Sequence, residues 1–265
     1  MATSLQNTLF SLEGKTAIVT GASRGIGEAI ARQIALHGAN VVVSSRKIDA
    51  CEEVVASIEA TVGRKCAKAT ACNIANKDDL RALVDFTNRE FGQIDVLISN
   101  AAVNPFYGPS SEITDEQFEK IMRCNVMASH WLSQMVLPQM VDRGDGSIII
   151  ISSIGAMVGS ATIGAYGISK AADLQLARNL AVEYGPNNVR INCICPGIVK
   201  THFAEALWKD PKVEAMIAKQ LPLRRFGEPD DIAGAAVFLA SPAGAWMSGQ
   251  QIVIDGGALI SAGAL

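Results

Sequence analysis

"TGASRGIGEA", residues 20–29, carries three glycines, Gly21, Gly25 and Gly27, in the order G-x-x-x-G-x-G. The apolar run "KTAIVT" (15–20) precedes it and the helix-patterned "GEAIARQIALHG" follows. Glycine adopts left-handed backbone and has no Cβ to keep a ligand away. Such a loop therefore turns sharply and aims its N–H groups and the helix N-terminus at one point, an arrangement that suits a pyrophosphate. Turns in general collect glycine; between a first strand and a first helix the trio reads as a dinucleotide loop.

Outward from this loop, further short runs rich in Val and Ile follow: "ANVVVSS" (39–45), "DVLISNA" (95–101), "GSIIIISS" (146–153), "VRINCICP" (189–196) and "QQIVIDGG" (250–257). They read as strands buried on both faces. Between them lie segments with helical spacing, among them "KDDLRALVDFTNREFG" and "KAADLQLARNLAVEYG", several closing on glycine. The alternation predicts an α/β fold, a doubly wound parallel sheet of the Rossmann type, with ligands at the carboxyl ends of the strands.

Composition agrees. The 265 residues are 49% hydrophobic and 18% charged, with no linker, repeat or low-complexity tract, so residues 1–265 are expected to form a single domain for both cofactor binding and catalysis. A net charge of -3 offers no basic footprint, which speaks against nucleic acid as a partner. Six cysteines form no C-x-x-C pair, and His37, His130 and His202 lack metal-ligand spacing, so reduced thiols and no metal are expected. No leader pattern, membrane-length apolar run or S-K-L-type ending is present; a cytoplasmic protein without a membrane segment is the expectation.

"AYGISKAAD" (165–173) sets Tyr166 and Lys170 four apart, on one face of a helix. A fixed cation favours the phenolate and brings a tyrosine toward useful acidity; an isolated Y-x-x-x-K is equally an ordinary surface helix. Ser153 lies just past the apolar strand "IIIIS", where a sheet presents functional groups.

Taken together, the loop, "SNAA" (99–102), Ser153, Y-x-x-x-K, "PGIVKT" (196–201), "RRFGEPDDIAGAAVFLAS" (224–241) and "SGQQIVIDGG" (248–257) resemble the short-chain dehydrogenase/reductase family, in its short single-domain branch. More narrowly, "ISNAAVNPFYG" and "PGIVKTHFAEALW" resemble NADPH-dependent carbonyl reductases related to peroxisomal retinol dehydrogenases.

The resemblance implies hydride transfer between a nicotinamide cofactor and a carbonyl carbon. Tyr166 is then the general acid, Ser153 polarises the carbonyl, Lys170 tunes Tyr166 and binds the nicotinamide ribose, and Asn125 holds a proton-relay water. It also implies cofactor contacts at Gly21, Ser23, Arg24, Gly25, Ile26, Gly27, Ser45, Arg46, Asn73, Asn100, Pro196, Gly197, Ile198 and Thr201. Two departures stand out: "SNAA" for the usual N-N-A-G, and Asn73 where relatives often carry aspartate.

Family geometry sets Val103, Asn104, Pro105, Phe106, Ile154, Met157, Phe203, Leu207 and Trp208 around the substrate, the last three on a lid over about 197–222. These are mostly apolar, so uncharged hydrophobic ketones or alcohols are expected, although Lys200 and His202 lie nearby and the lid residues also suit plain packing. The family further implies a homotetramer; in the tail, Leu259, Ile260 and Leu265 would be exposed on a monomer, unless the tail folds back. Three alternatives stay open: a 3-oxoacyl-carrier-protein reductase, which calls for a basic docking patch, an NAD-dependent secondary alcohol dehydrogenase, and a cofactor-binding sensor without activity.

NAD-type folds carry an acidic residue about 20 residues past the glycine loop to bind the ribose 2′-hydroxyl. Here Ser45 and Arg46 stand there, and Arg46 with Arg24 suits a 2′-phosphate, so NADP(H) is expected over NAD(H). Ser45→Asp combined with Arg46→Ala should move the ratio of kcat/KM values toward NADH. A wild type already faster with NADH would contradict the expectation.

Overall fold

The computed structural model describes residues 9–261. In chain order its elements are β1 (Thr16–Thr20), α1 (Gly25–Leu36), β2 (Asn40–Ser45), α2 (Ile48–Val62), β3 (Ala67–Ala71), α3 (Lys77–Phe91), β4 (Val96–Ser99) and α4 (Asp115–Ile121). There follow α5 (Ala128–Arg143), β5 (Gly146–Ile151), α6 (Gly164–Tyr184), β6 (Val189–Pro196), α7 (Glu205–Trp208), α8 (Pro211–Ala218), α9 (Pro229–Ala240) and β7 (Gln251–Ile254). One seven-stranded sheet runs in the order β3-β2-β1-β4-β5-β6-β7, and each neighbouring pair is parallel.

Alternate side chains of each central strand enter opposite cores. Ala17, Val19, Val41, Val43, Ile98 and Ile149 face Ile30 and Ile34 of α1, Val54 of α2 and Val237 of α9. Ile18, Val42, Leu97, Ile148 and Ile150 face Leu83 of α3, Leu132 and Val136 of α5 and Leu174 of α6. Every position in β1, β4 and β5 is buried, which is why these strands read as unbroken apolar runs. At roughly 1.5–3 kcal/mol for each buried Val, Ile or Leu, the two faces together commit the chain to this layering.

All six expected strands form, and a seventh, β3, is present beyond them. Its sequence "AKATA" has no apolar run, and Ala and Lys are depleted in strands. It becomes a strand because the edge of β2 offers its backbone a partner, Val41 to Ser45 pairing with Ala67 to Ala71. Expected glycine closures hold for α3, where Gly92 is left-handed, but not for α6: Gly185 has φ -56°, the chain continues into a 3-10 turn, and Asn188 takes the left-handed conformation.

The strand order reverses between β1 and β4, which opens the crevice at which ligands bind in such sheets. Between β6 and α9 the chain makes a helical excursion through α7 and α8. Leu207, Trp208, Ile217 and Leu259 pack there with Ile154, Leu221 and Phe226 in a third, smaller core. Leu259 is thereby half-buried, contrary to the expectation of an exposed tail, because Asp255 accepts hydrogen bonds from the Gly257 and Leu259 N–H groups at 2.8 Å each. Ile260 is 89% exposed as expected. Leu265 lies outside the described residues. All six cysteines are buried and unpaired, and among the described residues no helix is long and apolar enough to cross a membrane.

Candidate active site

At the switch point the glycine loop is built by close approach. Gly21 and Gly25 take φ +63° and +62°, values that L side chains rarely adopt. A Cβ on Gly27 would fall 2.4 Å from the Gly21 carbonyl oxygen and 2.5 Å from Asn100 Nδ2, so only glycine fits. Asn100 locks the loop to the end of β4: its Nδ2 donates to the Thr20 and Gly21 carbonyls at 2.9 and 3.1 Å. Thr20 Oγ1 in turn accepts from the Asn100 and Ala101 N–H groups at 3.1 Å each. The N-terminus of α1 has no side-chain cap, which leaves its first-turn N–H groups for an anion. These residues fit the pyrophosphate of a dinucleotide.

The other expected cofactor residues lie on this loop and at the carboxyl ends of three strands, β6, β2 and β3. The end of β6 supplies Pro196, Gly197, Ile198 and Thr201; a Cβ on Gly25 would meet the Thr201 methyl at 3.1 Å, so the two segments touch. Ser45, half-buried, and Arg46, exposed, end β2, while Arg24 is exposed on the loop. Asn73 follows β3, with its Oδ1 turned to the Ala75 N–H.

Tyr166 and Lys170 lie on α6, one turn apart, in contact with the end of β5. Tyr166 is 9% and Lys170 3% exposed, and the ammonium sits 5.7 Å from the phenol ring centroid. Gly167 permits the approach of α6 to the turn after β5, since a Cβ there would meet the Gly155 carbonyl oxygen at 2.9 Å. Ser153 Oγ accepts the Gly155 N–H at 3.0 Å, which leaves its O–H to donate beside the phenol. Lys170 donates to the Ile151 carbonyl at 2.9 Å and to Asp173 Oδ2 at 3.0 Å.

Asn125 reaches this centre through a π-helical turn, Met122–Met127, set between α4 and α5. Its Oδ1 accepts from the Val103 N–H at 2.8 Å and its Nδ2 donates to the Val103 carbonyl and to Ser169 Oγ, both at 3.0 Å. Ser169 Oγ donates to the Tyr166 carbonyl at 2.7 Å. Thr20, Ser169 and Asp173 were not singled out from sequence; for Asp173 the signal was available, three residues beyond Lys170 on one helix face.

The electrostatic balance at Tyr166 differs from a simple cation effect. Burial pushes the phenol above the ordinary tyrosine range, Lys170 pulls it down, Asp173 pushes it up and Ser153 pulls it down; burial prevails. Burial also works against the Lys170 ammonium, but Asp173 and Tyr166 outweigh it and hold the group above the usual lysine range. A phenol that keeps its proton beside a fixed ammonium and a free hydroxyl is a donor for an oxygen that gains negative charge.

A narrow cleft beside the Tyr166 ring is lined by Asn104, Phe106, Ser110, Ile113 and Ile163. Its wall forms because the Gly108 N–H donates to the Thr162 carbonyl at 2.9 Å, tying the segment after β4 to the start of α6. Phe203, 58% exposed, faces the phenol with ring centroids 5.7 Å apart. Ile154, Met157, Leu207 and Trp208 belong to the core beneath, and Trp208 Nε1 donates to the Thr201 carbonyl at 2.9 Å.

Residues 21–258 match a family profile described as enoyl-(acyl carrier protein) reductase. Dehydrogenase/reductase SDR family member 4 of Sus scrofa is 41% identical over 246 residues, covering 93% of this chain and 88% of the relative. The Homo sapiens protein of that name is 40% identical over 257 residues, covering 97% and 92%. Among solved structures, a 7 alpha-hydroxysteroid dehydrogenase complexed with NADH and 7-oxo glycochenodeoxycholic acid superposes with TM-score 0.90 at 38% identity, covering 96% of this chain and 97% of that one. A gluconate 5-dehydrogenase from Burkholderia cenocepacia in complex with NADP and tartrate gives 0.89 at 29% identity, covering 95% and 98%.

Proposed function

The chain belongs to the short-chain dehydrogenase/reductase family and is an oxidoreductase, and from this premise we propose that it is an NADP(H)-dependent carbonyl reductase acting on uncharged, hydrophobic ketones. The observation that carries the reading is the Tyr166 phenol with the Ser153 hydroxyl and the Lys170 ammonium beside it, next to a narrow cleft that Phe106, Ile113 and Ile163 line together with Asn104 and Ser110. When bound, the dinucleotide supplies the hydride that reduces the carbonyl carbon.

Each side chain has a role in this scheme. Gly21, Gly25 and Gly27, with the α1 N-terminus, hold the pyrophosphate, and Lys170 holds the nicotinamide ribose. Ser153 hydrogen-bonds the substrate oxygen. Tyr166 gives its proton to that oxygen as charge develops, and takes it back when an alcohol is oxidised. Asn125 fixes Val103 and Ser169, and through Ser169 the carbonyl of Tyr166, so it holds the pocket wall and the catalytic helix in register.

Cofactor choice rests on the end of β2. Ser45 brings no carboxylate to repel a 2′-phosphate, and Arg24 and Arg46 are exposed and able to bond it. Both cofactors occur among the structural relatives, so this reading stands on these residues of the chain itself. Residues 197–222 serve as a lid, with Phe203 the ring that meets the substrate and Leu207 and Trp208 anchoring the lid from below. The six unpaired, buried cysteines accord with a cytoplasmic location.

Tyr166→Phe should lower kcat by at least ~100-fold with little change in cofactor affinity, as loss of a general acid does. Retained turnover in that variant would remove Tyr166 from the mechanism. In a substrate panel, aryl ketones and α-dicarbonyls should exceed keto acids and sugar phosphates in kcat/KM, and Phe203→Ala should raise KM for aryl ketones more than for small aliphatic ones. A panel led by charged keto acids would overturn the substrate class.

A homotetramer completes the reading. Val182 (81%), Trp246 (102%) and Ile260 (89%) stand exposed on this chain, apolar surface that association would cover. Light scattering at micromolar protein should return the mass of four chains; the mass of one would refute it.

A further inference from the structure

Asn104 stands in the wall of the narrow cleft beside Tyr166, on the segment that leaves β4. Its Oδ1 is shielded from solvent and has no hydrogen-bond partner among the described residues. Covered side-chain oxygens without a partner are rare in folded chains, because an acceptor kept both dry and unbonded costs free energy. The chemistry assigned above does not use this amide.

The backbone around it is fixed on both sides. Asn125 accepts from the Val103 N–H at 2.8 Å and donates to the Val103 carbonyl at 3.0 Å, so the residue before Asn104 is held at both its polar groups. Pro105 follows, and a proline disfavours helical backbone at the residue before it. Farther on, a Cβ on Gly108 would meet the Phe106 ring at 2.8 Å, so glycine there lets the ring fold back over the segment. The main chain is set while the Asn104 Oδ1 is left unbonded. Turning the amide about its side-chain torsions breaks no bond to that oxygen.

Little else in the cleft is polar. Phe106, Ile113, Ile163 and Ala165 contribute apolar surface, and besides the Tyr166 phenol only Ser110, exposed at the rim, brings another polar side chain. A Cβ on Gly164 would lie 2.9 Å from Ser110 Oγ, which places that hydroxyl against the start of α6. Among the described residues that line the cleft none is charged. A ligand that enters therefore meets one neutral acceptor in apolar surroundings. Such an acceptor discriminates by the penalty of leaving it unpaired: a ligand with a donor in reach gains a bond, and one without leaves the oxygen dry. A hydroxyl is the neutral donor that suits it. Because Asn104 and Tyr166 line the same narrow cleft, that hydroxyl belongs close to the reacting carbonyl.

We propose that Asn104 is a specificity-determining residue whose Oδ1 accepts a hydrogen bond from a hydroxyl of the substrate, so that the preferred ketones are α-hydroxy ketones and the corresponding alcohols are vicinal diols. This deepens the reading of the chain as a reductase of uncharged ketones and rests on it. The apolar side chains receive the carbon skeleton, and Tyr166 and Asn104 read its two oxygens.

Two alcohols give a readout without turnover. Styrene glycol, the product of α-hydroxyacetophenone reduction, and α-methylbenzyl alcohol, which lacks the second hydroxyl, are titrated by calorimetry into protein loaded with NADPH; neither alcohol can accept the hydride. Wild type should bind the glycol more tightly, although it is the more polar of the two and loses more on leaving water. In Asn104→Leu, which keeps the size of the side chain and removes both polar atoms, the preference should fall by about 10-fold, the worth of one net hydrogen bond. Asn104→Asp keeps an acceptor and should keep the preference. In turnover, the kcat/KM ratio of α-hydroxyacetophenone to α-methoxyacetophenone should fall by a similar factor in Asn104→Leu; the methyl ether retains the electron-withdrawing oxygen and has no donor.

Wild type that binds the two alcohols alike, or the glycol more weakly, would overturn the proposal with no variant needed. So would an unchanged ratio in Asn104→Leu, or an Asn104→Asp that loses the preference as fully, since the oxygen would then not be the reader. Protein that reduces no ketone would strike the activity proposed above, and the calorimetric ratio would still decide Asn104.

Discussion

The contact between Asn100 and the glycine loop is the constraint on which the site depends. β1 and β4 are neighbours whose following chains part in opposite directions, and at that parting Asn100 Nδ2 donates to two carbonyls of the loop. The approach is tight enough that one added carbon on Gly27 would collide with both sides. From Asn100 the chain runs to Val103, which Asn125 grips by both backbone groups, and Asn125 passes through Ser169 to the carbonyl of Tyr166. The glycine loop and the helix that carries Tyr166 are therefore joined by a continuous series of short polar contacts.

Dryness then sets the chemistry. Two unit charges 4 Å apart interact by about 1 kcal/mol in water and by about 4 kcal/mol at the effective dielectric of a protein interior near a surface. A buried lysine in such surroundings influences a neighbouring phenol strongly, but the same burial opposes every ionised form. At Tyr166 burial outweighs the lysine, and at Lys170 the carboxylate and phenol outweigh burial. The site's acid–base character is a balance among these residues and cannot be assigned to Tyr166 and Lys170 alone.

The segment between β6 and α9, proposed as a lid, has a division of labour of the same kind. Leu207 and Trp208 contribute apolar area to the small core over Ile154, and the indole N–H is used on the Thr201 carbonyl. Phe203, left exposed at the phenol, is an apolar side chain with surface still to bury next to the site. A segment with an anchored underside and one exposed ring is suited to meeting a hydrophobic ligand without unfolding.

Much of this was legible in the order of residues. Unbroken Val and Ile runs mark strands buried on both faces, a glycine trio between strand and helix marks the phosphate loop, and four-residue spacing carries Tyr166 and Lys170 to one helix face, because each of these is a property of local period and backbone freedom. β3 was not legible: "AKATA" has no apolar signal, and only the free edge of β2 makes it a strand. Nor were Thr20 and Ser169, whose roles arise from partners 80 and 44 residues away along the chain from the groups they join. Residue order thus determined the layers, the glycine loop and the pairing of Tyr166 with Lys170 on one helix face; the tertiary structure alone decided how dry that pair is and that Asp173 meets Lys170 out of water, because desolvation depends on what every other element covers and not on spacing along one helix.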